Sequence, residues 1–178
     1  AGQASYARPS AAGQGYDRAQ VEWTRSLVYD GRAGVVEISG ECWATAEMDE
    51  YSRDHARADR VVINLVRDDD GRAAVDADRV AGAISRARLY GVDDGGAPAE
   101  VESRQYARDE TSASGLRLES IVYLSSALID ADVEADTLVV PGAGRLLIDD
   151  RRPTDGREAS RELTGDVRGT ALFEWACL

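Results

Sequence analysis

The chain has 178 residues, with 33 acidic side chains against 21 basic ones and a net charge of −12. A chain of this length can bury about 70% of its unfolded surface, so it needs no metal or disulfide staple to fold. The acidity argues against unaided phosphate-backbone binding, which needs clustered Lys and Arg, and no apolar run approaches the roughly 20 residues of a helical membrane span.

Residues 1–17 are small, polar and Gly-containing, and read as a flexible lead-in or linker. Residues 18–178 read as a single β domain of short apolar runs separated by turn residues. Ser26-Leu27-Val28-Tyr29 runs into Asp30-Gly31, a hairpin signal. Val35-Val36-Glu37-Ile38-Ser39 follows, then Val61–Val66, which reaches an acidic turn at Asp68-Asp69-Asp70-Gly71. Residues 93–115 read as loops around one short segment near Val101. Leu116–Leu124 alternates, Leu138-Val139-Val140 breaks at Pro141-Gly142, and Leu146-Leu147-Ile148 breaks at Asp149-Asp150. This pattern predicts an all-β fold: sandwich, open β-jellyroll or solenoid-like stack of short antiparallel strands. Met48, Tyr51, His55, Ala58 and Val62 lie at helical spacing, as do Val80, Ile84 and Ala87, so one short helix is the competing reading there.

Two kinds of repetition are present. An Ala-acidic-x-aliphatic motif occurs at Ala58-Asp59-Arg60-Val61, Ala77-Asp78-Arg79-Val80 and Ala135-Asp136-Thr137-Leu138, against a background rich in Ala and Asp. More sharply, Val21-Glu22-Trp23 near the start matches Phe173-Glu174-Trp175 near the end. With an apolar run at its end, the chain reads as one repeat unit of a longer protein. Strand-edge stacking on neighbouring copies or an adjacent repeat is then the expected partnership.

Leu27-Val28-Tyr29-Asp30, Val36–Cys42 and Ala58-Asp59-Arg60-Val61, with a weaker pass over Ile84–Val92 and Ala99-Glu100-Val101-Glu102, resemble the repeated unit of the OstA-like family. These are periplasmic proteins of lipopolysaccharide export. The resemblance implies an open β-jellyroll with an apolar interior for acyl chains, ends that stack into a bridge, and a periplasmic or otherwise extracytoplasmic location. It implies no enzyme activity and no cofactor. Joined with the alternation, it makes Val36, Ile38, Ile63, Leu118, Val122, Leu138 and Val140 the lipid-facing candidates, against the plainer reading that they fill a dry core. The alternative function is a structural or interaction repeat of a larger envelope or surface protein, without a small ligand.

Catalytic signatures are absent from the sequence. His55 is the only histidine and sits in a charged run; with Cys42 and Cys177 it cannot furnish an ordinary zinc site without carboxylates. No metal site is expected, the Asp68–Asp78 acids missing the EF-hand spacing. All the basic residues are Arg, which removes Lys nucleophiles and the P-loop Lys. Arg145, Arg151 and Arg152 form a small basic group open to a lipid phosphate or to surface ion pairs. A hydrolase using acidic residues has only their abundance in its favour.

Overall fold

The structure is a computed structural model, and it describes residues 1–9, 16–48, 51–67, 84–92, 95–152 and 169–176. The described residues form strands and turns without a helix. Twelve strands run in chain order: β1 (Gly2–Pro9), β2 (Tyr16–Trp23), β3 (Ser26–Asp30), β4 (Val35–Met48), β5 (Ser52–Leu65), β6 (Ile84–Tyr90), β7 (Ala99–Arg108), β8 (Leu116–Ser126), β9 (Leu128–Asp132), β10 (Thr137–Val139), β11 (Gly144–Asp150) and β12 (Gly169–Trp175). All pairings are antiparallel, and the sheet is open.

The sheet branches at the β4–β5 hairpin. Each of these 14-residue strands belongs to two arms. The longer arm has the order β1-β2-β4-β5-β7-β8-β11-β12. The shorter arm runs β3-β4-β5-β6-β9-β10. β4 changes arm where its register on β5 shifts between Ser39 and Cys42. Gly40 and Glu41 make that break, with φ of 79° and 39°. Gly suits the first position because an added Cβ would also lie 2.4 Å from Arg25 Cγ.

The chain crosses between arms repeatedly, and the crossings form one corner. Thr24 and Arg25 donate their amides to the carbonyls of Gly40 and Ser39, and Gly91 donates to Ala127. Ser126 Oγ donates to Ala143 O, and Trp175 Nε1 donates to Gly142 O at 2.8 Å. The core sits there too. Ala58, Leu89, Ala99, Leu124 and Ile129 are buried together, with Val61, Ala87, Val101, Leu146 and Trp175 against them. Residues of both arms therefore meet at the corner.

Several sequence expectations change. Gly2–Pro9, read as lead-in, is strand β1 in full register with β2, because Ala4 and Tyr6 place an alternating face opposite Val21 and Ala19. The helical spacing from Met48 to Val62 is coincidental: Ala44, Ala46, Ala56 and Ala58 share one sheet face at period two, and Ser52–Leu65 is extended. Ile84 and Ala87 likewise lie in β6; Val80 and the Asp68–Asp78 acids lie outside the described residues. β7 is ten residues long, where one short segment was expected near Val101. The strand β11 runs through Asp149 and Asp150 instead of turning there, since Arg151 and Arg152 neutralise both carboxylates. The short Ala-acidic motif has no common place in the described residues: Ala58 is buried at the corner and Ala135-Asp136 forms a turn, while Ala77-Asp78 lies outside the described residues.

Candidate functional site

Register assigns each side chain to one of two faces. On the longer arm, the face that carries the buried Ala58, Ala99 and Leu124 also carries Ala44, Ala56, Val101, Val122, Leu146, Ile148 and Phe173. On the shorter arm, the face of Leu89 and Ile129 carries Leu27, Tyr29, Val36, Ile38, Val61, Ile63 and Leu138. The shorter arm's inner face is apolar at all these positions; the longer arm's is apolar around the corner and turns polar further along, where Asp54, Ser103, Ser120 and Asp150 share the same face. The opposite, outer faces are charged: one row across the longer arm reads Glu22, Trp43, Arg57, Glu100, Ser125, Arg145 and Glu174.

Of the sequence candidates, Val36, Ile38 and Ile63 share one inner face, and Val122 lies on the other. Ile38 is buried, and Val36, Ile63 and Val122 are half-buried. Leu138 stands opposite Ala131 at the edge strand β10 and is 57% exposed. Val140 packs against the core cluster. Leu118 is separate: it faces Tyr106, beyond a register shift between β7 and β8. The sequence did not single out Leu27, Tyr29 and Phe173, yet they prolong the inner faces to the edges, and Phe173 is 52% exposed. Their signal was available in the alternation of Leu27 with Tyr29, but nothing local marks a side chain as unpartnered.

The groups that carry chemistry are engaged with one another. Arg145 pairs with Glu174 at 2.6 Å, Arg151 with Asp149 at 2.6 Å and Arg152 with Asp150 at 2.5 Å. The expected basic group is thus neutralised. Glu100 and Glu102 line an outer-face hollow of about 370 Å³ with Trp43, His55, Arg57 and Tyr123. Tyr123 Oη donates to Glu100 at 2.6 Å, and Arg104 lies 2.5 Å from Glu102. Burial, then the bond to Glu100, holds the Tyr123 hydroxyl above its usual range. Arg57 stacks over the Trp43 ring at 5.1 Å. No group of three or more His, Cys, Asp or Glu side chains among the described residues is placed to hold a metal ion. Cys42 is a free, buried thiol; Cys177 lies outside the described residues.

No family model and no curated protein matches this chain. A solved structure that it resembles is LptH, the LptA-homologous periplasmic component of the conserved lipopolysaccharide transport device from Pseudomonas aeruginosa. The identity is 12% and the TM-score 0.36, over 93% of this chain and 98% of that one.

Proposed function

We propose that this is an extracytoplasmic, non-enzymatic β-jellyroll protein that binds or relays an amphipathic envelope lipid such as lipopolysaccharide. One observation carries the reading: the apolar inner faces extend well beyond the core. The buried cluster is confined to the corner, while Val36, Ile63, Val122 and Ile148 are only half-buried and Leu27, Tyr29, Leu138 and Phe173 are exposed. Apolar surface left in this state is stabilised by an apolar occupant. An acyl chain against the inner faces gains about 0.8 kcal/mol for each methylene removed from water. The motif resemblance to the OstA-like unit supports the same ligand class. On this reading Val36, Ile38, Ile63, Val122, Leu138 and Val140 line or border the acyl path, with Leu27, Tyr29 and Phe173 added.

A second reading is a structural or interaction repeat of a larger envelope or surface protein. Its observation is the pair of matched segments near the two ends of the longer arm, Val21-Glu22-Trp23 in β2 and Phe173-Glu174-Trp175 in β12.

Native mass spectrometry of gently purified protein separates the two. Copurified mass in the acyl-lipid range, lost in Ile63→Glu, is the expected result. A bare chain that also fails to bind a fluorescent long-chain fatty acid overturns the lipid reading and leaves the repeat module.

A further inference from the structure

β2 and β12 make the same pairings at opposite ends of the longer arm. Trp23 stands opposite Gly2, Glu22 opposite Gln3 and Val21 opposite Ala4. Trp175 stands opposite Gly144, Glu174 opposite Arg145 and Phe173 opposite Leu146. In both places the indole fills the space of a missing side chain: a Cβ on Gly2 would lie 2.4 Å from Trp23 Cζ2, and one on Gly144 2.3 Å from Trp175 Cζ2. The β11–β12 pair therefore repeats the β1–β2 pair strand for strand, with apolar residues inward and Glu outward.

The difference lies in their neighbours. The far edge of β2 is covered by β4, with Val21 opposite Ala44 and Glu22 opposite Trp43. The corresponding edge of β12 has no partner strand among the described residues. Phe173, the counterpart of Val21, is 52% exposed, whereas Val21 is half-buried. An unpaired edge with exposed apolar side chains is a template for another strand.

We infer that the two pairs are interchangeable between copies of this chain: β12 of one copy takes the place of β2 against β4 of a second copy and displaces its β1–β2 pair. The occupant of the β12 edge is thus the second copy's β4. The central contacts given up have counterparts in the new junction, Phe173 replacing Val21 on Ala44, Glu174 replacing Glu22 beside Trp43 and Ala171 replacing Ala19 on Ala46, whereas Leu172 and Thr170 stand in for Gln20 and Arg18. Exchange of an equivalent element costs little beyond its release, so concentration decides the outcome. The junction is heterologous, so successive exchanges build an open chain of copies. This inference does not depend on a bound lipid.

The test uses the full chain, held concentrated near its denaturation midpoint, diluted into buffer and sized by native mass spectrometry. A ladder of dimers and higher species is expected. Ala19 and Ala46 are register partners on β2 and β4. Ala19→Cys with Ala46→Cys, oxidised as the monomer beforehand, locks β2 in place. The ladder is then lost, and it returns when the same sample is reduced, which shows that the variant folds. Phe173→Lys also removes it, with the monomer's melting temperature little changed. A ladder that persists in the locked protein means edges stacking without exchange and overturns the inference. So does a wild-type chain that stays monomeric throughout.

Discussion

Gly144 and Trp175 stand opposite each other across β11 and β12, and the indole occupies the volume that a side chain at position 144 would need. The ring cannot simply swing away, because its Nε1 donates to the carbonyl of Gly142 and its apolar surface covers the core cluster. Gly144→Val is expected to destabilise the fold by roughly 1–3 kcal/mol through overpacking. Trp175→Ala is expected to cost roughly 3 kcal/mol through lost burial. Denaturant titration followed by circular dichroism measures both, and a neutral Gly144→Val removes the fixed-indole account.

The corner is intolerant of added bulk. A Cβ on Gly91 would lie 2.8 Å from both Ala97 O and Ala99 N. Those are backbone atoms, and the backbone there feeds buried Ala99 into β7. Gly91→Ala is expected to cost on the order of 2 kcal/mol, whereas Gly95→Ser, where a Cβ meets nothing within 4 Å, strains only a φ of 79° and costs about 1. Equal melting shifts for the two variants would count against the close approach.

Parity along β5 separates ligand contact from general damage. Ile63 is on the inner face, paired with Val36 and Ala87; Val62 is on the outer face, paired with Glu37 and Arg88. Ile63→Glu is expected to abolish acyl-probe binding, and Val62→Glu to preserve it. Probe fluorescence with both variants decides this, and equal loss in the two refutes an inner-face site.

Asp130 accepts two hydrogen bonds from Arg86, at 2.7 and 2.6 Å. Those bonds hold its carboxyl below the usual carboxylate range. A carboxyl lowered in the folded state contributes stability that is complete above its unfolded pKa, near 4, and is lost as pH falls through the folded value. Asp130→Asn is therefore expected to reduce stability at pH 7 and to flatten the acid limb below about pH 4. Unfolding curves at several pH values check this, and an unchanged acid limb speaks against the pair.

Burial raises the pKa of the Cys42 thiol, with the Asp59 charge adding to it. Thiolate is the reactive form, so Cys42 is expected to react with disulfide reagents only as the corner opens. In a Cys177→Ser background, its labelling rate should rise to the free-thiol rate in denaturant. Fast native labelling would show that the corner is open.

Much of the fold was legible from the sequence because strands need only alternation and turns. Asp30 illustrates this: its carboxylate accepts the amides of Arg32 and Ala33 and turns β3 into β4, as a local hairpin signal implies. The corner was not legible. Ile38 and Cys42 share a nominal face in the sequence, yet the register shift between Ser39 and Cys42 sends them to different arms. The length of the β4–β5 hairpin was hidden by Ala, Asp and Arg, which are weak strand formers that pair here through distant partners such as Val101 and Glu102. Val122 lies on the face that its alternation with Leu124 implies, whereas Ile63 sits in an unbroken apolar run whose parity only the register assigns. The exposure of Phe173 was not legible, because an edge is defined by what does not pair with it.

A branch at β4 and β5 also has a kinetic meaning. These two strands follow each other in the chain, with Met48 paired to Ser52, so their hairpin is expected to close early and at small loop-closure cost, on the microsecond scale of hairpin formation. Every other strand then adds outward from its two halves, and pairings as distant in sequence as β5 with β7, or β6 with β9, are expected later. The branch is thus expected to act as a folding nucleus as well as a junction: Ala44→Gly and Ala56→Gly should slow refolding in stopped-flow measurements, while substitutions in β1 or β12 should chiefly hasten unfolding.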